Sequence, residues 1–311
     1  MSSPRTLKIA SRASALALWQ ARYVAGLIQQ HVPQQAVEIV EVSTLGDRDR
    51  TGPLAQFGGM GVFTREVQQV VLAGDADLAV HSLKDLPTEA VPGLELAGIP
   101  PRETRTDALI LRRGEKISCL EELPVDARIG TGSVRRQAQL LHWRRDLQPC
   151  EIRGNVDTRL KKLDAGEYAA IVLAVAGLTR LQWQDRISLV LEAPVMYPAV
   201  GQGALGIECR ADDAETIGIL GQLTHAETRI EVLAERACLA QLRAGCHAPV
   251  GVWAAVRGDQ LRLEGVVLSP DGRQRFVART TGPVESPRGL GIQLAERLAS
   301  LGAANVLQRA D

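Results

Sequence analysis

The sequence predicts an α/β protein with more than one domain, and three observations support this fold class. Strand-like and helix-like stretches alternate through the first two-thirds of the chain, which is typical of layered α/β domains. From about His225 several strand-like stretches follow one another with tight turns, which predicts a small antiparallel sheet with helices on one side. With 311 residues the chain is also longer than one small core requires, so we expect two or three domains.

The first predicted elements are a strand at 7–10 and a helix that begins after Ser14, a residue type suited to cap a helix N-terminus. The helix is indicated by apolar residues that share one face, Leu16, Trp19, Tyr23 and Leu27. The next elements are a strand at 37–42, a glycine-rich loop at 57–63, a helix over 64–73 and a buried strand at 77–81.

A second unit is expected after the polar, proline-containing segment 100–107. Its predicted elements are a strand at 127–130, a helix marked by Val134, Ala138 and Leu141, a strand at 150–153, a helix carrying Val156, Leu160 and Leu163, and an apolar strand at 169–174. The segment from Pro194 to Pro198 is interpreted as a connector before a strand at 204–209. The last part is predicted as a helix over 225–242, three strands and a final helix from about Ser286.

Composition excludes several classes of protein. The 36 basic and 36 acidic residues give a formal net charge of zero, which argues against a general nucleic-acid or membrane-surface binder. No apolar run approaches the roughly 20 residues that span a bilayer, and the first residues lack the apolar segment of a secretory signal. The five cysteines are odd in number and have no CxxC spacing, which favours free thiols over disulfides or a zinc site. We therefore expect a cytoplasmic protein.

Two basic turns are the densest chemical signal. In GTGSVRRQ, a strand-to-helix turn holds Thr131, Gly132 and Ser133, and Arg135 and Arg136 follow in the first helical turn. Backbone N–H groups at a helix start bind anions, and arginine adds a two-point grip on carboxylates. The second turn, RGNVDTRLKK, offers Arg153, Arg159, Lys161 and Lys162. Together they predict a ligand with several negative charges; the alternative is that these side chains form solvated helix faces.

Two further positions could carry chemistry. In HSLKDLP, Lys84 and Asp85 follow a buried strand, and ligand sites of α/β sheets lie at such strand ends. The alternative is a surface ion pair, whereas His81 is best interpreted as a buried, hydrogen-bonded histidine. In RAGCHAPVG, Cys246 lies between a helix and a strand, where a thiol could be nucleophilic or covalently modified. The other four cysteines are interpreted as packing residues.

Six stretches that cover the chain almost end to end resemble the porphobilinogen deaminases. They are IASRASALALWQA, LAVHSLKDLPT, GTGSVRRQAQL, RGNVDTRLKKLDAGEYAAIVLAVAGLTRL, PAVGQGALGIECR and AGCHAPVG. The resemblance implies two α/β domains of the periplasmic-binding-protein type around a cleft and a smaller α+β domain with a three-stranded antiparallel sheet. The implied bounds are 1–101 plus 202–222 for domain 1, 106–197 for domain 2 and 225–311 for domain 3.

The resemblance also implies an activity. Four molecules of porphobilinogen would be joined head to tail, with loss of ammonia, onto a dipyrromethane cofactor in thioether linkage to Cys246, and hydroxymethylbilane would be released by water. Asp85 matches the catalytic aspartate of the family. The positions that match cofactor ligands are Lys84, Thr131, Ser133, Arg135 and Arg136. Those that match the substrate and growing chain are Arg12, Ser14, Gln20, Arg153, Arg159, Arg180 and Gln202. The resemblance further implies a monomer.

The sequence departs from the family in its glycine-rich loop, where Gln56 and Met60 stand in place of the lysines of many relatives, and at Gly132, where serine is common. Two alternative hypotheses for the function stay open. A two-lobed anion-binding protein would use both basic turns but would leave Cys246 without a role. A thiol-dependent transferase would have an unmodified Cys246 in its resting state.

Overall fold

The computed structural model describes residues 5–43, 64–244 and 248–307. The glycine-rich stretch with Gln56 and Met60, and Cys246, lie outside these residues. The chain divides into two compact units, Met1–Glu103 with Ala204–Arg229, and Thr104–Gly203 with Ile230–Asp311. None of the described helices is long and apolar enough to cross a membrane.

The described elements are numbered in chain order. The strands are β1 (Leu7–Arg12), β2 (Val37–Val42), β3 (Leu78–Ser82), β4 (Leu94–Gly98), β5 (Asp107–Leu111), β6 (Arg128–Gly130), β7 (Gln148–Cys150), β8 (Ala170–Ala174), β9 (Leu189–Leu191), β10 (Leu205–Arg210), β11 (Val250–Arg257), β12 (Gln260–Leu268) and β13 (Arg275–Pro283). The helices are α1 (Ala15–His31), α2 (Arg65–Leu72), α3 (Val134–Trp143), α4 (Val156–Asp164), α5 (Val175–Arg180), α6 (Ala214–Gln222), α7 (Ala226–Gln241), α8 (Pro287–Ser300) and α9 (Ala303–Leu307).

The first unit contains a five-stranded sheet in the order β2-β1-β3-β10-β4. Strand β1 runs parallel to β2 and β3, whereas β10 is antiparallel to β3 and β4, so the chain returns to this sheet after a long excursion. Helix α1 packs against the sheet through Ala21, Val24 and Ile28. The predicted face is therefore wrong in part, because its four residues are only partly buried: Leu16, Trp19, Tyr23 and Leu27. The hydroxyl of Ser14 accepts a hydrogen bond from the backbone N–H of Ala17 at 3.3 Å, which is the N-cap that the sequence predicts.

The second unit contains a five-stranded sheet in the order β7-β6-β8-β5-β9. The predicted strand at 150–153 is wrong in its position, because β7 pairs with β6 through Gln148–Cys150 and ends there. The pairing stops at Cys150 because the partner strand β6 ends at Gly130, directly opposite. Strands β4, β5 and β9 have no counterpart among the predicted elements.

The second unit also contains the antiparallel sheet β11-β12-β13, which the sequence predicts. Its inner face packs on α7 and α8 in one apolar core. Gly291 allows the two helices to approach closely, because a Cβ there would lie 3.0 Å from the backbone nitrogen of Cys238. This sheet and that of β5–β9 lie in one compact unit, and the division into three domains with the bounds given above stays a prediction.

Candidate active site

Asp85 lies on a short helical turn, Leu83–Asp85, that follows β3 directly. The turn is fixed at its base. The backbone N–H of Leu83 donates to the carbonyl of Ala204 at 3.0 Å, and the Leu83 side chain is buried. The amide of Gln20 donates to the hydroxyl of Ser82 at 2.8 Å. Asp85 itself is exposed, so its carboxylate is available to a ligand while its backbone is held in place.

Gly206 on β10 makes room for this anchor. A Cβ at Gly206 would lie 2.7 Å from Cδ1 of Leu83 and 2.9 Å from Cδ1 of Leu96. Such distances are shorter than van der Waals contact, so a larger residue would displace Leu83. The packing of the Leu83 side chain at the base of the Asp85 turn therefore depends on a glycine in the neighbouring strand.

Other predicted site residues of the first unit lie at the edge of the sheet where β3 ends and the Asp85 turn begins. Arg12 is the last residue of β1, which runs parallel to β3, and Ser14 caps α1 just beyond it. Lys84 and Arg12 are half-buried. The structure thus brings Arg12, Ser14, Lys84 and Asp85 to the carboxyl edge of this sheet, where α/β proteins bind ligands.

His81 is buried within the same strand. Its Nε2 lies 3.0 Å from Oε2 of Glu208, and that oxygen also accepts a hydrogen bond from the amide of Gln68 at 2.8 Å. These contacts link β3, β10 and α2. The structure therefore confirms that His81 is buried and places its Nε2 at ion-pair distance from a carboxylate, whereas a hydrogen bond from this atom stays a prediction.

The first basic turn has an ordered backbone. Thr131 is buried, its N–H donates to the carbonyl of Cys150 at 2.8 Å, and its hydroxyl accepts from the N–H of Ser133 at 3.2 Å. The amide of Gln137 donates to the Thr131 carbonyl at 3.0 Å. Ser133 occupies the N-cap position of α3, but its side chain makes no capping hydrogen bond. The Ser133 hydroxyl therefore does not cap the N-terminus of α3.

Arg135 and Arg136 do not form a solvated helix face, because only 4% and 6% of their surfaces are exposed. Nη2 of Arg135 lies 2.8 Å from Oδ2 of Asp107, and Nη2 of Arg136 lies 2.7 Å from Oδ1. Each arginine also donates to a backbone carbonyl, that of Tyr197 for Arg135 and that of Val172 for Arg136. Both guanidinium groups are thus held by several contacts inside the second unit.

Asp107 is fully buried, and it is not among the predicted site residues because it ends the polar segment 100–107. Burial alone would raise the pKa of this carboxyl, but the charges and hydrogen bonds of Arg135 and Arg136 lower the pKa to about 2. Oδ1 also accepts from the amide of Gln202 at 3.0 Å. The available signal was the apolar run ALIL directly after Asp107, which indicates that a strand begins at an acid.

The second basic turn contains a buried donor that no described residue satisfies. Nε of Arg153 donates to Glu151 at 2.7 Å, whereas Nη2 is buried and has no hydrogen-bond partner within the described part of the chain. Arg159 donates from Nε to the carbonyl of Gly154 at 2.8 Å, and Lys161 is exposed. An unsatisfied buried guanidinium nitrogen is costly, and a ligand carboxylate would satisfy it.

Of the remaining predicted residues, Gln202 joins the first basic turn through Asp107, and Arg180 contacts the backbone next to Gln202. Arg180 is buried and donates to the carbonyl of Gly203 at 2.6 Å, while the amide of Gln202 donates to the carbonyl of Arg105 at 2.6 Å. Cys246 lies outside the described residues, and its neighbours Ala244 and Ala248 pack against the core of the three-stranded sheet.

Of the described cysteines, all four are unpaired. Cys209 and Cys238 are buried, and burial raises the pKa of each thiol to about 12. A thiol with so high a pKa is unreactive at neutral pH. These two residues therefore serve packing, as the sequence predicts.

Comparisons with known proteins show the family to which the chain is related. The family model described as "Porphobilinogen deaminase, dipyromethane cofactor binding domain" matches residues 7–218, and "Porphobilinogen deaminase, C-terminal domain" matches residues 229–300. A porphobilinogen deaminase of Pelotomaculum thermopropionicum is 44% identical over 98% of this chain and 97% of its own length. One of Geobacter metallireducens is 46% identical over 98% of this chain and 95% of its own length.

Among solved structures, the chain is similar to the periplasmic VFT2 domain of BvgS from Bordetella pertussis, with a TM-score of 0.43 and 14% identity over 70% of this chain and 86% of that one. The family assignment follows from the two family models and the curated relatives, which extend over nearly the whole sequence. The chain therefore belongs to the porphobilinogen deaminase family.

Proposed function

We propose that this enzyme joins four molecules of porphobilinogen head to tail, with loss of ammonia, onto a dipyrromethane cofactor and releases hydroxymethylbilane by hydrolysis. The observation that carries the proposal is Asp85, an exposed carboxylate on a turn whose base is fixed by hydrogen bonds and packing. The cofactor belongs to the family description, and we propose Cys246 as its point of attachment.

The residues present fit a cofactor that carries carboxylates. Arg153 has a buried Nη2 without a partner in the described residues, and Ser133 has a hydroxyl that does not cap its helix. With Lys84, Thr131, Arg135 and Arg136, Ser133 would hold cofactor carboxylates by hydrogen bonds, and Arg153 would bind a carboxylate of the substrate or of the growing chain. When bound, the cofactor supplies the pyrrole carbon to which the first substrate is joined.

Asp85 is proposed as the catalytic residue. Positive charge develops on the substrate as ammonia leaves, and a fixed carboxylate stabilises that charge without having to reorganise. The same carboxylate can accept hydrogen bonds from pyrrole N–H groups. Its rigid turn keeps the negative charge in one place for each successive addition.

The other predicted residues would bind the substrate and the growing chain. In the first unit these are Arg12, Ser14 and Gln20. In the second unit they are Arg153, Arg159, Arg180 and Gln202. Each pyrrole carries two carboxylates, so the anionic load increases with every addition and cationic or hydrogen-bonding side chains are needed along the chain. Gln20 has a further role, because it fixes Ser82 beside the catalytic turn.

We also propose a cytoplasmic location and a monomeric state. The location is supported by the unpaired state of all four described cysteines, which is expected in a reducing compartment. The monomeric state is proposed from the family resemblance, and sedimentation of the purified protein tests it.

The experiment that tests the proposed function is porphobilinogen consumption by Asp85→Asn. Loss of a fixed charge that stabilises a transition state costs on the order of 100- to 1,000-fold in rate, and we expect a loss of at least that size. Glu89→Gln is the matched control, since it removes an exposed carboxylate from the same segment. Both variants should unfold at the wild-type temperature. A near-normal rate in Asp85→Asn would exclude the proposed role.

A further inference from the structure

The ionic groups around Asp107 form a buried cluster whose charges do not balance. Two guanidinium groups, those of Arg135 and Arg136, face a single carboxylate, and within the described residues their ion pairs go to Asp107 alone. Gln202 adds a neutral amide to the same carboxylate. The cluster therefore carries one positive charge more than its carboxylate neutralises.

Asp107 fixes the direction of both arginines. Its two oxygens are divided between them, with Oδ2 facing Arg135 at 2.8 Å and Oδ1 facing Arg136 at 2.7 Å and 3.1 Å. Backbone carbonyls of Tyr197 and Val172 hold the opposite sides of the two groups. Side chains held at several points lose little conformational freedom when a ligand binds.

The cluster lies at the start of a helix. Arg135 and Arg136 are in the first turn of α3, next to the N-cap residue Ser133, where backbone N–H groups and the helix dipole already favour an anion. A buried excess charge is unfavourable without a counter-charge. One ligand carboxylate would supply it.

We propose that Asp107 is a positioning residue that locks Arg135 and Arg136 and leaves them with one positive charge for a single carboxylate of the cofactor. This inference rests on the proposed function. Asp107 itself does not contact the ligand; it determines where the two guanidinium groups point and how many negative charges they accept.

The test is the fraction of purified protein that carries the cofactor, measured by intact mass. We expect Asp107→Asn to lower the loaded fraction at least ten-fold relative to wild type. Leu111→Ala is the control for lost stability, because Leu111 is a buried core residue at the other end of the same strand. Leu111→Ala should keep its cofactor even if its unfolding temperature falls as much as that of Asp107→Asn. Equal loss of cofactor in both variants, or none in Asp107→Asn, would overturn the inference.

Chemical rescue separates a positioning role from a purely structural one. In Asp107→Ala, sodium formate can place a carboxylate between the two arginines, so the protein should regain cofactor and unfold at a higher temperature than in sodium chloride at equal ionic strength. Wild type and Leu111→Ala should show no such difference. Absence of rescue in Asp107→Ala would contradict the proposal.

A second variant covers the case in which changes at Asp107 prevent folding. Arg136→Gln leaves the Asp107–Arg135 pair neutral, so the chain should fold but should lose its affinity for the cofactor carboxylate. Full loading of Arg136→Gln would overturn the inference. A wild-type protein that neither carries the cofactor nor consumes porphobilinogen would instead contradict the proposed function, so the two failures are distinguishable.

Discussion

Acid should remove a defined part of the stability that Asp107 provides. Burial acts to raise the pKa of this carboxyl, but Arg135 and Arg136 outweigh burial and lower the pKa from 3.8 to about 2. Because folding lowers the pKa, the stabilisation is fully present above about pH 4 and is lost as the pH falls through about 2. The difference between the two pKa values corresponds to roughly 2 kcal/mol at neutral pH, of which about 1 kcal/mol is lost by pH 3.

The assay is urea unfolding of wild type and Asp107→Asn, followed by circular dichroism from about pH 7 to about pH 3. Asparagine at 107 cannot titrate, so subtracting the two free energies of unfolding cancels the contributions of the other ionisable groups. We expect the advantage of the wild type to decrease by about 1 kcal/mol over this range, with most of the decrease below about pH 4. An advantage that does not change with pH would refute the ion-pair reasoning.

Three other substitutions have expected outcomes. Gly206→Ala should displace Leu83 and lower porphobilinogen turnover by roughly ten-fold or more, with a smaller effect on the unfolding temperature. Normal turnover would mean that the Asp85 turn does not depend on this contact. Gly291→Ala should destabilise the fold by about 1–3 kcal/mol or more in urea unfolding, because its Cβ would meet helix backbone, and unchanged stability would contradict that packing. Arg153→Gln should raise the KM for porphobilinogen or lower cofactor loading while the fold stays intact; wild-type values of both would exclude a carboxylate at its buried Nη2.

Most helices and strands could be predicted because their signals are local. The strand Val37–Val42 has the bounds that its alternating pattern indicates, and α1 begins after Ser14 because that side chain satisfies a backbone donor within the same turn. The three-stranded sheet was predictable from apolar alternation and tight turns. Such features depend on residues a few positions apart, which a single sequence shows directly.

The parts that could not be predicted depend on partners that are distant in sequence. Asp107 begins a buried strand because Arg135 and Arg136, 28 and 29 residues later, neutralise it. The segment before Asp107 is polar although an apolar run follows it, and only the fold brings the three charges together. For the same reason the two arginines were predicted at the correct helix start, but the buried carboxylate between them was not.

The candidate site shows the same division. The position of Asp85 after a buried strand was visible in the sequence, and the structure adds the contacts from Gln20 and Ala204 that hold its turn. Those contacts come from a helix early in the chain and from the return of the chain at β10. The roles proposed for these residues come from the family resemblance, whereas the structure provides physical reasons for their positions.

The most direct test of the account is the intact mass of the native protein, compared with Cys246→Ser and with Cys119→Ser as a matched control at a half-buried cysteine. We expect wild type and Cys119→Ser to be heavier than their sequences by two linked pyrroles, Cys246→Ser to lack this addition, and porphobilinogen to add further pyrrole masses to the loaded proteins. A native mass equal to the sequence, and unchanged after incubation with porphobilinogen or hydroxymethylbilane, would contradict the proposed function.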